Sequence, residues 1–300
     1  MRAILIAGVV AAIAFAAGAI FGVRYHVTIA AIRERSSTCS LADLPAFNRS
    51  RVQRKAENAF VRANSHLVTQ DAAGLEQWSS PEGSWWVPKG DGDNLMLVLA
   101  EQRCDIYSSP DVKVQPGDVV LDCGAHVGSF TRKALGRGAK LVVAIEPAPE
   151  NLECLRRNLA DEIAKGRVVV YPKGVWDRND VLVLSNATSA QHSIVANSGG
   201  DDRCVVKAPL TTIDELTAEL KLPRVDFIKM DIEGAEERAL TGAAGTLATY
   251  RPRLGIAGYH NREDGVALER VVRKASASYQ MQHGPCFSAR GIRPETLFFH

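Results

Sequence analysis

Asp122-Cys123-Gly124-Ala125-His126-Val127-Gly128 is the stretch whose reading decides the fold. It follows the apolar run Val119-Val120-Leu121 and precedes residues 129–135, whose spacing is helical. That order predicts a turn between a buried strand and a helix. Gly124 and Gly128 let the backbone turn sharply and approach a ligand closely, where a side chain would obstruct both. The spacing is not G-x-G-x-x-G, so the dinucleotide fingerprint is absent and a nicotinamide-dependent oxidoreductase is the weaker reading. Asp122 at the strand end also suits a cationic, amine-bearing ligand better than a pyrophosphate, which wants helix N–H groups and no carboxylate.

Outward from this turn the same grain repeats. Apolar runs recur at 141–145, 168–171, 225–230 and 253–257, with helical spacing over 149–159, 235–240 and 264–277. Strands alternating with amphipathic helices predict an α/β fold, a mostly parallel sheet covered on both faces. Residues 279–283 and 295–299 lack a helix between them and predict an antiparallel pair at one sheet edge. Residues 181–184 and 204–208 read as an inserted β element, and Trp85-Trp86-Val87 as a strand ended by Pro88.

Towards the N-terminus, residues 3–23 carry no charge and are long enough to cross a ~30 Å hydrocarbon layer. A single-pass membrane anchor over 1–23 is expected. A cleavable signal peptide is the competing reading, because Ala17-Gly18-Ala19 resembles a cleavage site. The apolar run continues through Ile20 and Phe21, which favours the anchor. Arg24, Arg33 and Arg35 after the run lean towards a cytoplasmic catalytic domain. Residues 24–75 are expected as a helical stalk or cap, and 76–300 as the catalytic domain. With 36 basic and 34 acidic side chains, the chain has no basic footprint for nucleic acid. Six scattered cysteines without a C-x-x-C pair read as reduced structural residues.

Ligands of open parallel sheets bind beyond the carboxyl ends of the strands. Glu146-Pro147 ends the second run, and its carboxylate is placed to accept ribose hydroxyls. Lys229-Met230-Asp231-Ile232-Glu233-Gly234-Ala235-Glu236 ends the fourth. Clustered carboxylates there repel one another, so Asp231 and Glu233 are expected to meet a cation: a ligand amine, Lys229 or a metal. Glu236 and Glu237 read as the solvated first turn of a helix. Gly258-Tyr259-His260-Asn261 ends the fifth run, where His260 is a candidate general base or metal ligand. His192, in the insert, is a weaker candidate.

These residues resemble the FkbM family of methyltransferases from roughly Trp85 to the C-terminus. The likeness rests on 116–128, on Ile145-Glu146-Pro147, on 227–236 and on Tyr259-His260, with Asp-Ile-Glu-Gly-Ala-Glu the most specific piece. His126 stands where the family often has Asn. The resemblance implies a class I methyltransferase (Rossmann-like) domain, S-adenosyl-L-methionine as cofactor, and methylation of a hydroxyl on a sugar, glycan, lipid-linked or natural-product acceptor. It implies Gly124, His126 and Gly128 beside the methionyl part, with Asp122 anchoring that turn. Glu146 would bind the ribose, Val175 and Trp176 would line the adenine, and Asp231 would face the sulfonium or acceptor, with His260 as base. Magnesium held by Asp231, Glu233 and His260 is chemically reasonable, since hard oxygens with one imidazole suit it. A membrane-anchored scaffold that has lost the chemistry is the remaining alternative.

Overall fold

A computed structural model describes residues 34–185, 205–288 and 291–300. The expected membrane helix and His192 lie outside them. Among the described residues no helix is long and apolar enough to cross a membrane.

Of the stalk or cap expected over 24–75, the described part is clamped to the body as a cap would be. Helix α1 (Leu44–Ala63) packs on α2 (Gly92–Cys104), and Arg54 reaches Glu295 at 2.5 Å. Within the segment expected to be helical, β1 (His66–Gln70) is a strand instead. It pairs with β2 (Glu76–Ser80), which pairs with β3 (Gly83–Val87), all antiparallel. A disulfide joins Cys39 to Cys286, which corrects the expectation of reduced cysteines. The two lie 247 positions apart, and no local spacing announces such a pair. Cys104, Cys123 and Cys154 are free.

The central sheet takes β4 (Val119–Cys123), β5 (Leu141–Ile145) and β6 (Val168–Tyr171) from the first half of the domain. The insert follows: β7 (Gly174–Val175) lies parallel to β9 (Val205–Thr211), which pairs antiparallel with β8 (Asp180–Ser185). The sheet then gains β10 (Phe227–Met230), β11 (Arg253–Ala257) and β12 (Met281–His283). After a hairpin of β13 (Cys286–Ser288) and β14 (Ile292–Pro294), it ends with β15 (Thr296–Phe299). Its order is β12-β15-β11-β10-β4-β5-β6. The antiparallel strand, β15, lies one place in from the edge, with β12 outside it. The hairpin fills the helix-free connection between the last two strands of the sheet.

Alternate residues of each strand feed opposite layers, as a sheet buried on both faces requires. Leu121, Ile145, Ile228 and Leu254 enter one core cluster, whereas Val120, Val142, Phe227 and Phe298 enter the other. The covering helices are α3 (Ser129–Gly136), α4 (Pro149–Asn158), α5 (Ala160–Ala164), α6 (Ile213–Glu219), α7 (Glu236–Thr241), α8 (Ala244–Tyr250) and α9 (Asp264–Ala275). From β4 the chain winds outward through β5 and β6, then returns to β10 on the other side of β4. That reversal opens a crevice beyond the carboxyl ends of β4 and β10, where a ligand site belongs.

Candidate active site

The crevice is a cavity of about 370 Å³, with Gly124, His126, Glu146, Val175, Asp231 and Glu233 in its wall. Helix α2 covers one side with Asn94, Val98 and Glu101.

The glycines of the first turn serve the chain more than a ligand. Gly124 has φ +78°, and a Cβ on it would stand 1.9 Å from the Asp231 carbonyl oxygen. The neighbouring strand end, already in place, fills the space that the sequence reading kept for a ligand. Gly128 has φ +94°, its Cβ would press on Leu159, and it does not line the cavity. Between them, His126 also takes the left-handed region, at φ 52°. Its N–H donates to Glu146 Oε2 at 2.9 Å, and its Nε2 lies 3.1 Å from Asp91. Glu146 further accepts from the Ala148 N–H at 3.0 Å and from Asn151 at 3.3 Å. Three donors offset the cost of burying this carboxylate and fix it in the cavity wall.

Asp122 is fully buried and does not reach the cavity, which corrects its assignment as a cofactor contact. It accepts from Thr131 at 2.7 Å and lies 3.2 Å from Lys229 Nζ. Lys229 also donates to the Gly124 carbonyl at 2.7 Å, which ties the turn to β10. Burial opposes charge on Lys229, yet Asp122 and then Asp231 outweigh it and hold its pKa above the ordinary value. Val175 lines the cavity with Leu182 and Leu210. Trp176 does not: it packs against the cluster of Ala148, Leu182, Ala208 and Leu210, with Arg238 over its ring.

The opposite end is acidic. Asp231 accepts from the Tyr107 hydroxyl at 2.6 Å and the Tyr259 hydroxyl at 3.3 Å. His260 Nε2 lies 3.5 Å from Asp231 and 3.6 Å from Glu233, while its Nδ1 lies 3.0 Å from Glu236. Burial opposes charge on this imidazole, but Glu236, Asp231 and Glu233 together raise its pKa to about 9. Glu236 is fully buried and accepts the Ile232 N–H at 2.9 Å, so it is not the solvated residue that its position predicted. Glu237 is solvated, paired with Arg270 at 2.8 Å. Glu233 sits at φ 59°, and burial followed by the Asp231 charge raises its carboxyl.

Two cavity residues escaped the strand-end rule because they precede the first strand of the central sheet. Tyr107 orients Asp231, and Glu101 faces the cavity from the last turn of α2. Burial, then the charge on Asp231, pushes the Glu101 carboxyl up to about 8. An acid directly after the apolar run 95–100 was the available sign.

Comparison with known proteins agrees with this arrangement. The family described as "Methyltransferase FkbM domain" matches residues 122–281, just over half of the chain. The 31-O-demethyl-FK506 methyltransferase FkbM of Streptomyces tacrolimicus is 25% identical over 184 residues, covering 52% of this chain and 70% of that one. The AMB antimetabolite synthetase AmbE of Pseudomonas aeruginosa is 26% identical over 203 residues. That match covers 56% of this chain but only 10% of the synthetase. Among solved structures, methyltransferase FkbM from Methylobacillus flagellatus shares the fold with a TM-score of 0.50 at 17% identity. It matches over 85% of this chain and 60% of that one. A mostly parallel sheet, a cavity at its switch point and a family match over the residues that build it lead to one conclusion: the chain belongs to the FkbM family of S-adenosylmethionine-dependent methyltransferases.

Proposed function

We propose that the chain methylates a hydroxyl of a sugar, glycan, lipid-linked or natural-product acceptor. The observation that carries this is one cavity with two chemically different ends. Glu146 stands at a nucleoside end with apolar Val175, Leu182 and Leu210, and Asp231 stands at an acidic end backed by His260. The FkbM of S. tacrolimicus, whose name sets its methylation on an oxygen, supports the choice of a hydroxyl.

S-adenosylmethionine supplies a methyl group on a sulfonium whose positive charge disappears as the methyl leaves. The residues present fit such a ligand: a carboxylate suited to two hydroxyls, an apolar wall, and negative charge where a cation must lie. Glu146 binds the ribose, Val175 borders the adenine, and Gly124 with His126 borders the methionyl part. Asp231 aligns the acceptor, and His260 takes the hydroxyl proton. A pKa of about 9 keeps His260 protonated at neutral pH in the empty site. Beside a bound sulfonium, His260 would hold a second positive charge less readily, and its nitrogen would be available for the base role. The Glu236 carboxylate faces the ring 3.0 Å from Nδ1.

His260→Ala should abolish most turnover and spare cofactor binding, with unchanged turnover refuting the base. Calorimetry should show micromolar binding of S-adenosylmethionine that Glu146→Ala weakens at least about tenfold. A folded protein that binds none would favour the scaffold reading.

The anchor expected over residues 3–23 belongs to the proposal and would bring the domain to membrane-linked acceptors. The arginine flank favours the cytoplasmic side. The Cys39–Cys286 disulfide favours an oxidising one, since such bonds are rare in the cytosol. Thiol labelling in intact cells decides between them: labelling of both cysteines without reductant places the domain in the cytoplasm. Magnesium, expected from the sequence, is proposed next on a revised ligand set.

A further inference from the structure

We propose that Asp231, Glu236 and His260 form a binding site for one divalent cation of the magnesium–manganese class. One ligand atom from each lies within 4.8 Å of the other two. Glu236 comes from the first turn of α7, where a carboxylate is ordinarily solvated. Its burial is complete, and its Oε2 has no hydrogen-bond partner among the described residues. A carboxylate oxygen left so is costly unless something charged meets it. Glu233, expected from the sequence as a ligand, stands outside the mutually close set.

The charge balance points the same way. Glu101, Asp231, Glu233 and Glu236 converge on one end of the cavity. Lys229 is committed to Asp122, Arg54 is shared between Glu101 and Glu295, and the imidazolium of His260 would give up its proton to an arriving cation. Two hard carboxylates with one imidazole are a donor set for manganese or magnesium, which keep several waters and need few protein ligands. The Tyr107 hydroxyl bonds Asp231 Oδ2, and Oδ1, which accepts from Tyr259 at 3.3 Å, lies 3.5 Å from His260 Nε2, so outer-shell donors orient the carboxylate. The inference deepens the methyltransferase reading by placing a cation at the acceptor end, where the ion takes the His260 nitrogen that would otherwise accept the proton, so the ligand and base roles exclude one another; binding of the ion does not depend on transfer.

The test uses the full-length chain stripped by a chelator and titrated with Mn(II), free ion being followed by its paramagnetic resonance signal. One Mn(II) per chain with micromolar affinity, displaced by Mg(II), is expected. Glu236→Gln and Asp231→Asn should each weaken it at least about tenfold, whereas Glu237→Gln, on the solvated side of α7, should leave it unchanged. Because Glu236→Gln alters a buried site, Asp231→Asn carries the test if the former fails to fold. A folded wild-type chain that leaves Mn(II) free, or binding that survives both substitutions, overturns the site. S-adenosylmethionine binding measured on the same samples in chelator separates the two readings. Its loss removes the cofactor site without touching the metal result.

Discussion

Asp122 and Asp231 stand at the carboxyl ends of neighbouring strands, and they differ in almost everything that matters. Asp122 is sealed in, matched to Lys229 and Thr131, and contributes to cohesion. Asp231, one position past its strand, opens into the cavity and is held by two tyrosine hydroxyls. In sequence both are acids at a strand end. In register Asp122 lies beside Lys229 and Asp231 two positions further on, on the same face of the sheet, so distance past the strand end, and not direction, separates a brace from a reactive group.

The contrast is exposed to experiment, most severely at the brace. Asp122→Ala leaves the buried Lys229 ammonium without its carboxylate and should cost about 3–5 kcal/mol in denaturant unfolding. A loss below about 1 kcal/mol, the range of a surface pair, would erase the distinction. Next comes Glu146→Ala, which should weaken S-adenosylmethionine about tenfold or more through the lost charged hydrogen bonds. Calorimetry reads it, and an unchanged affinity moves the nucleoside end elsewhere.

Glu101 offers a pH test of the acidic end. Its folded-state pKa, about 8, lies above the ordinary 4.5, so its favourable contribution is whole below 4.5 and is lost as pH rises through 8. Stability should therefore decline across that window, and Glu101→Gln should flatten the decline in melting curves taken at several pH values. The smallest effect belongs to Asp231→Asn. It should change unfolding free energy by under about 1 kcal/mol, because it removes a repulsive charge as well as an accepting one. A larger loss would make Asp231 a second brace.

Much of this was legible because it is local. The glycine turn, the apolar strands and Glu146 follow from periodicity and from residues a few positions apart, and they reappear where expected. What stayed hidden depends on the packing of distant segments. Gly124 is glycine because the Asp231 carbonyl occupies the place of its Cβ, a contact across 107 positions that no turn rule contains. Glu236 occupies a first helical turn, where solvation is the rule, yet the packing of α7 against α9 and the position of His260 bury it. Glu101 and Tyr107 reach the cavity from a segment that a strand-end reading never visits. Residues 66–70 became a strand because β2 offered an edge.

The bond between Cys39 and Cys286 also makes the catalytic part of this molecule a covalent ring. Every residue discussed in the cavity, from Asn94 to His260, lies on it. A single cut anywhere inside the ring opens it without separating the pieces, and two fragments part only after reduction. Nicked and intact chains would then run together on a non-reducing gel, and the nicked form would keep its site assembled.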